Sequence, residues 1–370
     1  MLEETAGGPA AAGVTVSRYR ESDRAALLEF RRDHYGADAA QADPAYVDWQ
    51  FRDAPGAAES GAPLHVAWKD GRIVGTIGTV RTSVWVNGQP EPCSWVIDFA
   101  VHRDLRRSGI GDALAAVSRA EPRTRLVLEV TPAARGIAAR AGHQVLGEVP
   151  LLVRPLQPAR WLRSRGFPGP LAWISHAASP ALAGLDALAL RLARSERVEL
   201  VETPSFDARA DAIFAAQSRR YPVLCQRDRR WLEWRFERYP QPGRYRMYWV
   251  VRKGVAAGYA VLRAGTHHGI PSGVLADHLC DPAIVPAMLA LCVERFRAAG
   301  AAVATCLQLD PIAGGAFRRL GFFRRNSGWR FLALPFPATK VSPLLDRGAW
   351  FLTAGDANVD RDRSASAERR

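Results

Sequence analysis

The chain has 370 residues, 48% of them apolar and 24% charged, with a formal net charge of +13. That length suits two domains better than one core, and the balance is that of a globular protein rather than a fibrous or disordered one. The positive excess is scattered arginine with no Lys/Arg tract of five or more, which argues against specific nucleic-acid binding and leaves an anionic cofactor or a membrane surface to attract it.

In chain order, Met1 to Gly13 is acidic and then Ala/Gly-rich, without the basic and apolar regions of a signal peptide, and reads as a flexible leader (1–13). Val14 to Arg18 reads as a strand. Glu21, Ser22 and Asp23 then offer helix-start chemistry, with Ala26, Leu27 and Phe30 as an apolar face. An aromatic patch, Tyr46-Val-Asp-Trp-Gln-Phe-Arg52, precedes a hairpin of Leu64–Trp68 and Ile73–Val80 about Lys69-Asp70-Gly71-Arg72. A third strand, Ser83–Val86, turns at Asn87-Gly88 and leads into a buried strand from Trp95 to Val101. A helix over Asp112–Ser118, an apolar strand Leu126–Val130, a helix from Ala133 to Ala141 ended by Gly142, and a strand Val145–Val153 complete the series. This order predicts an α/β (α+β) mixed sheet with helices on its faces.

Residues 156–197 are rich in Pro, Ala, Leu and Arg and read as a helical linker with one amphipathic helix between Leu171 and Ala193. Pro180, His176 and Asp186 interrupt that helix's apolar run, so no transmembrane segment is predicted, only weak membrane-surface contact. The pattern then starts again. Trp231-Leu-Glu-Trp-Arg-Phe-Glu237 repeats the aromatic patch, Tyr248–Leu262 repeats the hairpin with Lys253-Gly254 at its tip, and Asp277, Asp310-Pro311 and Gly321 repeat Asp98, Thr131-Pro132 and Gly142. The landmarks arrive in the same order, at an offset of 183 to 185 residues that settles at 179, as duplication with small loop deletions produces. The plan is a first domain over 14–155, a degenerate copy over 198–353 whose closing strand is Trp350–Thr353, and a disordered tail over 354–370.

The stretch around which the first copy is organised is Arg106-x-x-Gly109-x-Gly111, set between the strand ending Phe99-Ala100-Val101 and a helix. Glycines there allow close approach of backbone to a ligand, and the unpartnered amides of a helix's first turn favour a pyrophosphate. Arg106 and Arg107 stand where the helix dipole disfavours cations, which an anionic ligand would explain. At the corresponding offset the second copy has Val285-Pro-Ala-Met-Leu-Ala290, with no glycine, and Pro286 removes an amide; it should keep the fold without the cradle.

With this turn, strand and helix in this order, and Gly142-His143 and Gly321-Phe322 near the end of each copy, the chain resembles the GNAT (Gcn5-related N-acetyltransferase) superfamily over about 14–155, and more weakly over 198–353. The resemblance implies two tandem GNAT-like domains, each a mostly antiparallel mixed sheet flanked by helices. It implies acetyl-CoA, or another acyl-CoA, as co-substrate. The amides from Arg106, Arg107, Ser108, Gly109, Ile110 and Gly111 would hold the pyrophosphate, and the backbone of Phe99, Ala100 and Val101 would face the pantetheine arm.

The activity implied is an acyl-CoA-dependent N-acyltransferase, most simply one moving acetyl to an amine by direct attack. The tyrosine that often protonates the leaving thiolate in this family is replaced by Ala138, and by Phe317 in the second copy. That substitution favours the alternative of a non-catalytic acyl-CoA sensor or interaction protein. Transfer of a longer acyl or aminoacyl group is a third reading.

Candidate bases are Asp98, three residues before Val101 and repeated as Asp277, and Glu129, which interrupts an apolar strand. Each also has a structural reading as the partner of an arginine. His143 could shuttle a proton but fits packing better, and His267 with His268 sits in a surface turn with no metal spacing to the cysteines. Trp49/Phe51 and Trp234/Phe236 read as core before ligand platforms. The five cysteines form no C-x-x-C pair and imply reduced core thiols in a cytoplasmic protein, a monomer or homodimer acting on a small-molecule or other amine-bearing acceptor.

Overall fold

The computed structural model describes residues 13–57, 62–129, 131–166, 190–191, 197–337 and 343–357. The leader before Gly13, the tail after Ala357 and nearly all of the expected helix between Leu171 and Ala193 lie outside the described residues. In that helix only Leu190 and Arg191 are described; both are helical, and Leu190 is buried. The chain divides into two compact units. Unit 1 comprises the chain up to Glu148 with Arg238–Pro240 and Gly328–Arg347; unit 2 comprises Val149–Glu237, Gln241–Ser327 and the chain from Gly348.

In unit 1 the strands are β1 (Thr15–Arg18), β2 (Leu64–Lys69), β3 (Arg72–Val86), β4 (Gln89–Val101), β5 (Thr124–Glu129), β6 (Gln144–Glu148) and, from far along the chain, β15 (Arg330–Leu334). They pair in the order β1-β2-β3-β4-β5-β15-β6, antiparallel throughout except for β4 with β5. The hairpin tips are the two expected from the sequence. Asp70-Gly71 (φ 50° and 74°) and Asn87-Gly88 (φ 49° and 79°) both take the left-handed conformation that a two-residue turn requires. Ser83–Val86 is not a separate strand: β3 runs unbroken for 15 residues. The polar residues that suggested a break are satisfied in place, Arg81 reaching Glu121 at 2.7 Å. The helices are α1 (Arg24–Tyr35), α2 (Pro44–Phe51), α3 (Ile110–Arg119) and α4 (Pro132–Arg140). Leu27 and Phe30 of α1 are buried, and α3 packs Ile110 and Leu114 against Ala67, Val74 and Ile77 of the sheet.

Unit 2 repeats the plan. Its strands are β7 (Leu151–Pro155), β8 (Val198–Thr203), β9 (Val223–Cys225), β10 (Arg246–Arg252), β11 (Val255–His267), β12 (Ile270–Cys280), β13 (Val303–Leu309), β14 (Phe323–Arg325) and β16 (Trp350–Thr353). Seven of them pair in the order β8-β10-β11-β12-β13-β7-β14, with β12 and β13 the parallel pair. Its helices are α5 (Pro158–Ser164), α6 (Arg209–Gln217), α7 (Arg229–Leu232), α8 (Val285–Ala298) and α9 (Gly314–Arg319). Met288, Leu289, Val293 and Phe296 of α8 are buried in the core, and a Cβ on Gly273 would lie 2.1 Å from the Phe296 ring.

Two sequence expectations change here. Val145–Val153 is not one strand: β6 ends at Glu148, Pro150 cannot donate to a ladder, and β7 pairs with β13 and β14 in the other sheet. In return β15, which follows the second copy, fills the sixth place of the unit 1 sheet between β5 and β6. Each sheet therefore holds one strand from the chain segment that built the other, and neither unit is a continuous stretch such as 14–155 or 198–353. The residues just after β16 also depart from expectation: Ala354, Asp356 and Ala357 are buried rather than part of a disordered tail.

Candidate functional site

The parallel ladder between β4 and β5 runs from Cys93 paired with Thr124 to Val96 paired with Val127. β4 continues for five residues past Val96, to Val101, and no further pair between the two strands occurs among the described residues. On its other side β4 stays paired, Ala100 with Thr76 and Val101 with Gly75, and β5 stays paired to β15 as far as Glu129 opposite Arg330. The strands thus part with one backbone edge of each left open, and Phe99, Ala100 and Val101 line the opening on the β4 side. A bulge lies at the point of parting. Thr76 pairs with Ala100 but Gly78 with Ile97, so Asp98 and Phe99 face one residue of β3, and Asp98 takes φ +47°.

Arg31 of α1 sits under this bulge, fully buried, and donates from Nη2 to Asp98 Oδ2 at 2.8 Å; its Nε donates to the Gln41 carbonyl. Thr76 Oγ1 donates to the Asp98 carbonyl at 3.0 Å. The carboxylate proposed from sequence as a base is therefore engaged, with both side chains of the pair at 1% exposure or less. Arg31 is a residue that sequence reasoning missed. The signal was present: it lies four residues after Leu27 on the apolar stripe of α1, where a charge needs a partner. For Glu129 the backbone closes β5, and its side chain lies outside the described residues.

Beyond β4 the chain turns through Arg103–Leu105 into α3. Arg107 has φ +68° and Gly109 φ +86°, and the first amide to close back into the helix is that of Ala113, onto Gly109 O. The amides between Arg107 and Asp112 precede that bond, as at any helix start. Ser108 Oγ is spent on Leu105 O at 2.7 Å. The glycines have different tasks. A Cβ on Gly109 would meet nothing within 4 Å, so this glycine serves a left-handed backbone beside open space. A Cβ on Gly111 would lie 2.6 Å from Ile137 Cδ1 and 3.3 Å from Phe99 Cζ, so that glycine lets α3 lie against α4. Ile110 likewise turns its side chain into the core, while Arg106 and Arg107 are exposed. A phosphate fits this turn: open space at Gly109, helix-start amides and two exposed guanidinium groups.

Unit 2 has the bulge without the turn. Asp277 lies at the β12 bulge opposite Val261 and, like Asp98, meets a buried arginine, Arg227 Nε at 3.3 Å. The start of α8, Val285 with Ala287 to Ala290, is buried and apolar. His143 is held by a bond between Nδ1 and Ala138 O at 3.1 Å, and burial pushes it down to about 4, so the ring is neutral at pH 7. His267 packs on His268, and burial lowers it likewise to about 4. Trp49, Phe51, Trp234 and Phe236 are all core. Ala138 is half-buried on α4 and Phe317 fully buried on α9, so neither position offers a proton. All five cysteines are buried free thiols, and no metal-binding group of His, Cys, Asp or Glu occurs among the described residues.

The sequence model of the Acetyltransferase (GNAT) family matches residues 25–143. The matched segment lies wholly within unit 1. The two sheets agree with the GNAT fold in solved structures. A GCN5-related N-acetyltransferase from Anabaena variabilis ATCC 29413 superposes with TM-score 0.58 at 11% identity, over 86% of this chain and 72% of that one. Saccharomyces cerevisiae N-myristoyltransferase with bound myristoyl-CoA gives 0.58 at 11% identity, over 90% and 85%. A probable N-acyltransferase of unknown function from Enterococcus faecalis V583 gives 0.59 at 8%, over 88% and 73%. Coverage of this order shows that both GNAT-like units, not the matched segment alone, take part in the likeness. No curated protein sequence matches the chain.

Proposed function

We propose that the chain is an acyl-CoA-dependent N-acyltransferase that binds its co-substrate in unit 1 and moves the acyl group, acetyl in the simplest case, to an amine by direct attack. The observation that carries this reading is the opening of β4 from β5 beyond Val96–Val127, which leads to the open left-handed turn at Gly109. The GNAT match over 25–143 and the myristoyl-CoA complex among the fold's relatives support it. The amides from Arg106 to Gly111 would take the pyrophosphate, and the free edge of Phe99, Ala100 and Val101 the pantetheine arm, orienting the thioester for attack.

Such a transfer asks little of the protein beyond placement, a deprotonated amine and a polarised carbonyl. Because Arg31 holds Asp98, we assign Asp98 to shaping the bulge and leave Glu129 as the carboxylate to accept the amine's proton. With Ala138 at the place of the family's usual tyrosine, the thiolate would leave unassisted or take its proton from water. That same substitution keeps a second reading open, a non-catalytic acyl-CoA sensor.

Release of free thiol from acetyl-CoA and longer acyl-CoAs, assayed against a panel of amines and amino sugars, tests the first reading. The expected result is thiol release with at least one acceptor and a lower kcat/KM in Glu129→Gln. Tight coenzyme A binding with no thiol release on any acceptor would instead establish the sensor, and no coenzyme A binding would refute both.

A further inference from the structure

Unit 2 also parts its parallel strands. The β12–β13 ladder runs from Ser272 paired with Val303 to Val274 paired with Thr305, and there it ends. The gap that follows is filled. β16 pairs antiparallel with β13, Thr353 opposite Gln308 and Leu352 opposite Leu309, and every residue from Trp350 to Thr353 is at 1% exposure or less. On the other side, the Gly355 amide donates to Ala276 O at the β12 bulge, at 3.0 Å. The segment therefore touches both strands of the parting, while its first residues pair in parallel with β9, Trp350 opposite Val223 and Phe351 opposite Leu224. Ala276 and Asp277 correspond by the 179-residue offset to Ile97 and Asp98 of unit 1.

A buried clasp holds the segment. Thr353 Oγ1 donates to Asp277 Oδ1 at 2.7 Å, Tyr259 OH donates to Asp277 Oδ2 at 3.0 Å, and Arg227 bonds Asp277, Thr353 and Asp356 together. Arg235 Nε donates to Gly355 O at 3.1 Å. Gly355 has to be a glycine for this approach, since a Cβ there would lie 2.9 Å from Asp277 Cβ and 3.0 Å from the Phe236 ring.

We propose that residues 350–356 seal the parting of β12 and β13 as a built-in ligand, taking the place in unit 2 that the pantetheine arm takes in unit 1, so that each chain has a single acyl-CoA site. The comparison with a pantetheine arm rests on the function proposed above; the seal itself rests on register and hydrogen bonding alone. Main-chain pairing supplies the affinity, as when an extended peptide adds to a sheet, and the clasp supplies the register. Loss of the glycine turn and occupation of the parting are then two separate changes that close the same copy to cofactor.

Amide hydrogen exchange and coenzyme A calorimetry on the full chain test this. The Gly355 amide should exchange about a thousandfold slower than an unprotected amide, and coenzyme A should bind with a stoichiometry of one. Gly355→Ala should speed exchange over 351–356 by about tenfold or more while the stoichiometry stays at one. Asp356→Asn, which adds no heavy atom to the contact, serves as the second variant and should also speed exchange at Thr353, whose amide donates to Asp356 Oδ2 at 2.8 Å. A wild-type Gly355 amide exchanging at the unprotected rate, or two coenzyme A per chain, would overturn the proposal. A protected Gly355 amide with no coenzyme A bound would refute the unit 1 assignment and uphold the seal.

Discussion

Two buried carboxylates at equivalent bulges set the chemistry of the two units differently. Asp98 pairs with Arg31, whereas Asp277 shares Arg227 with a second buried acid, Asp356. Burial first, and then the neighbouring Asp277, push Asp356 up to about 6 from an ordinary 3.8, against the pull of Arg227. The folded chain therefore keeps a proton on Asp356 that the unfolded chain gives up near pH 4. The contribution is fully present below that pH and is lost as pH rises through about 6. Tyr259 is raised well above its usual range and does not titrate here, whereas burial lowers His278, so that ring acts in the opposite sense and favours the fold as pH rises. The Asp356 contribution is therefore read as a difference: the wild-type unfolding midpoint minus that of Asp356→Asn should fall from pH 4 to pH 8. A difference that stays constant or grows with pH would show the carboxylate to be ionised when folded.

For Asp98 the expectation is larger. Arg31→Met takes the arginine away from a buried carboxylate and should cost about 3–5 kcal/mol, and adding Asp98→Asn should recover part of that loss. Urea unfolding of the two single variants and the double variant measures the coupling. A coupling near zero would remove Arg31 from its role at the bulge.

At the scale of elements, the start of α3 gives a test that separates ligand approach from packing. Gly109→Ala forces a left-handed alanine, at a cost of about 1–2 kcal/mol, and should weaken coenzyme A binding whatever surrounds it. Gly111→Ala meets Ile137 instead, so its loss of affinity should be relieved by Ile137→Ala. Calorimetry on the three variants decides, and a Gly111→Ala defect unmoved by the second substitution would return that glycine to the phosphate. The motif itself was legible in the sequence because it is local: a glycine pair, a strand before it and a helix after it. The hairpin tips at Asp70-Gly71 and Asn87-Gly88 were legible for the same reason, each being a φ requirement on two adjacent residues.

What the sequence did not reveal depends on partners far along the chain. Nothing in Leu151–Pro155 or Arg330–Leu334 says which sheet will accept it, because an apolar strand pattern is the same on either side of an exchange. Asp356 looks like an ordinary surface charge, and Arg31, though its place on the apolar stripe of α1 calls for a partner, does not say which one, until the bulge carboxylates that hold or neighbour them are located. Ala354–Ala357 has the composition of a tail, and only the close approach of Gly355 to Asp277 places it inside.

On the scale of the whole molecule, the exchange of β7 and β15 ties the folding of each unit to the other segment of the chain. Residues 13–166 contain every strand of unit 1 except β15, without which β5 and β6 have no neighbour between them; residues 197–357 lack β7, which otherwise stands between β13 and β14. Each segment alone would expose a gap lined by buried residues such as Leu126, Val127, Cys306 and Leu307, together with unpaired backbone along two strands. Expressed alone, each should aggregate or show the poorly dispersed amide spectrum of an unfolded chain. Produced together, the two segments carry all sixteen of the described strands between them, and they should copurify with the spectrum and the coenzyme A stoichiometry of the intact protein. A well-dispersed spectrum from residues 13–166 alone would mean that the sheet of unit 1 closes without its sixth strand, and the exchange would then be a late embellishment of the fold rather than a condition for it.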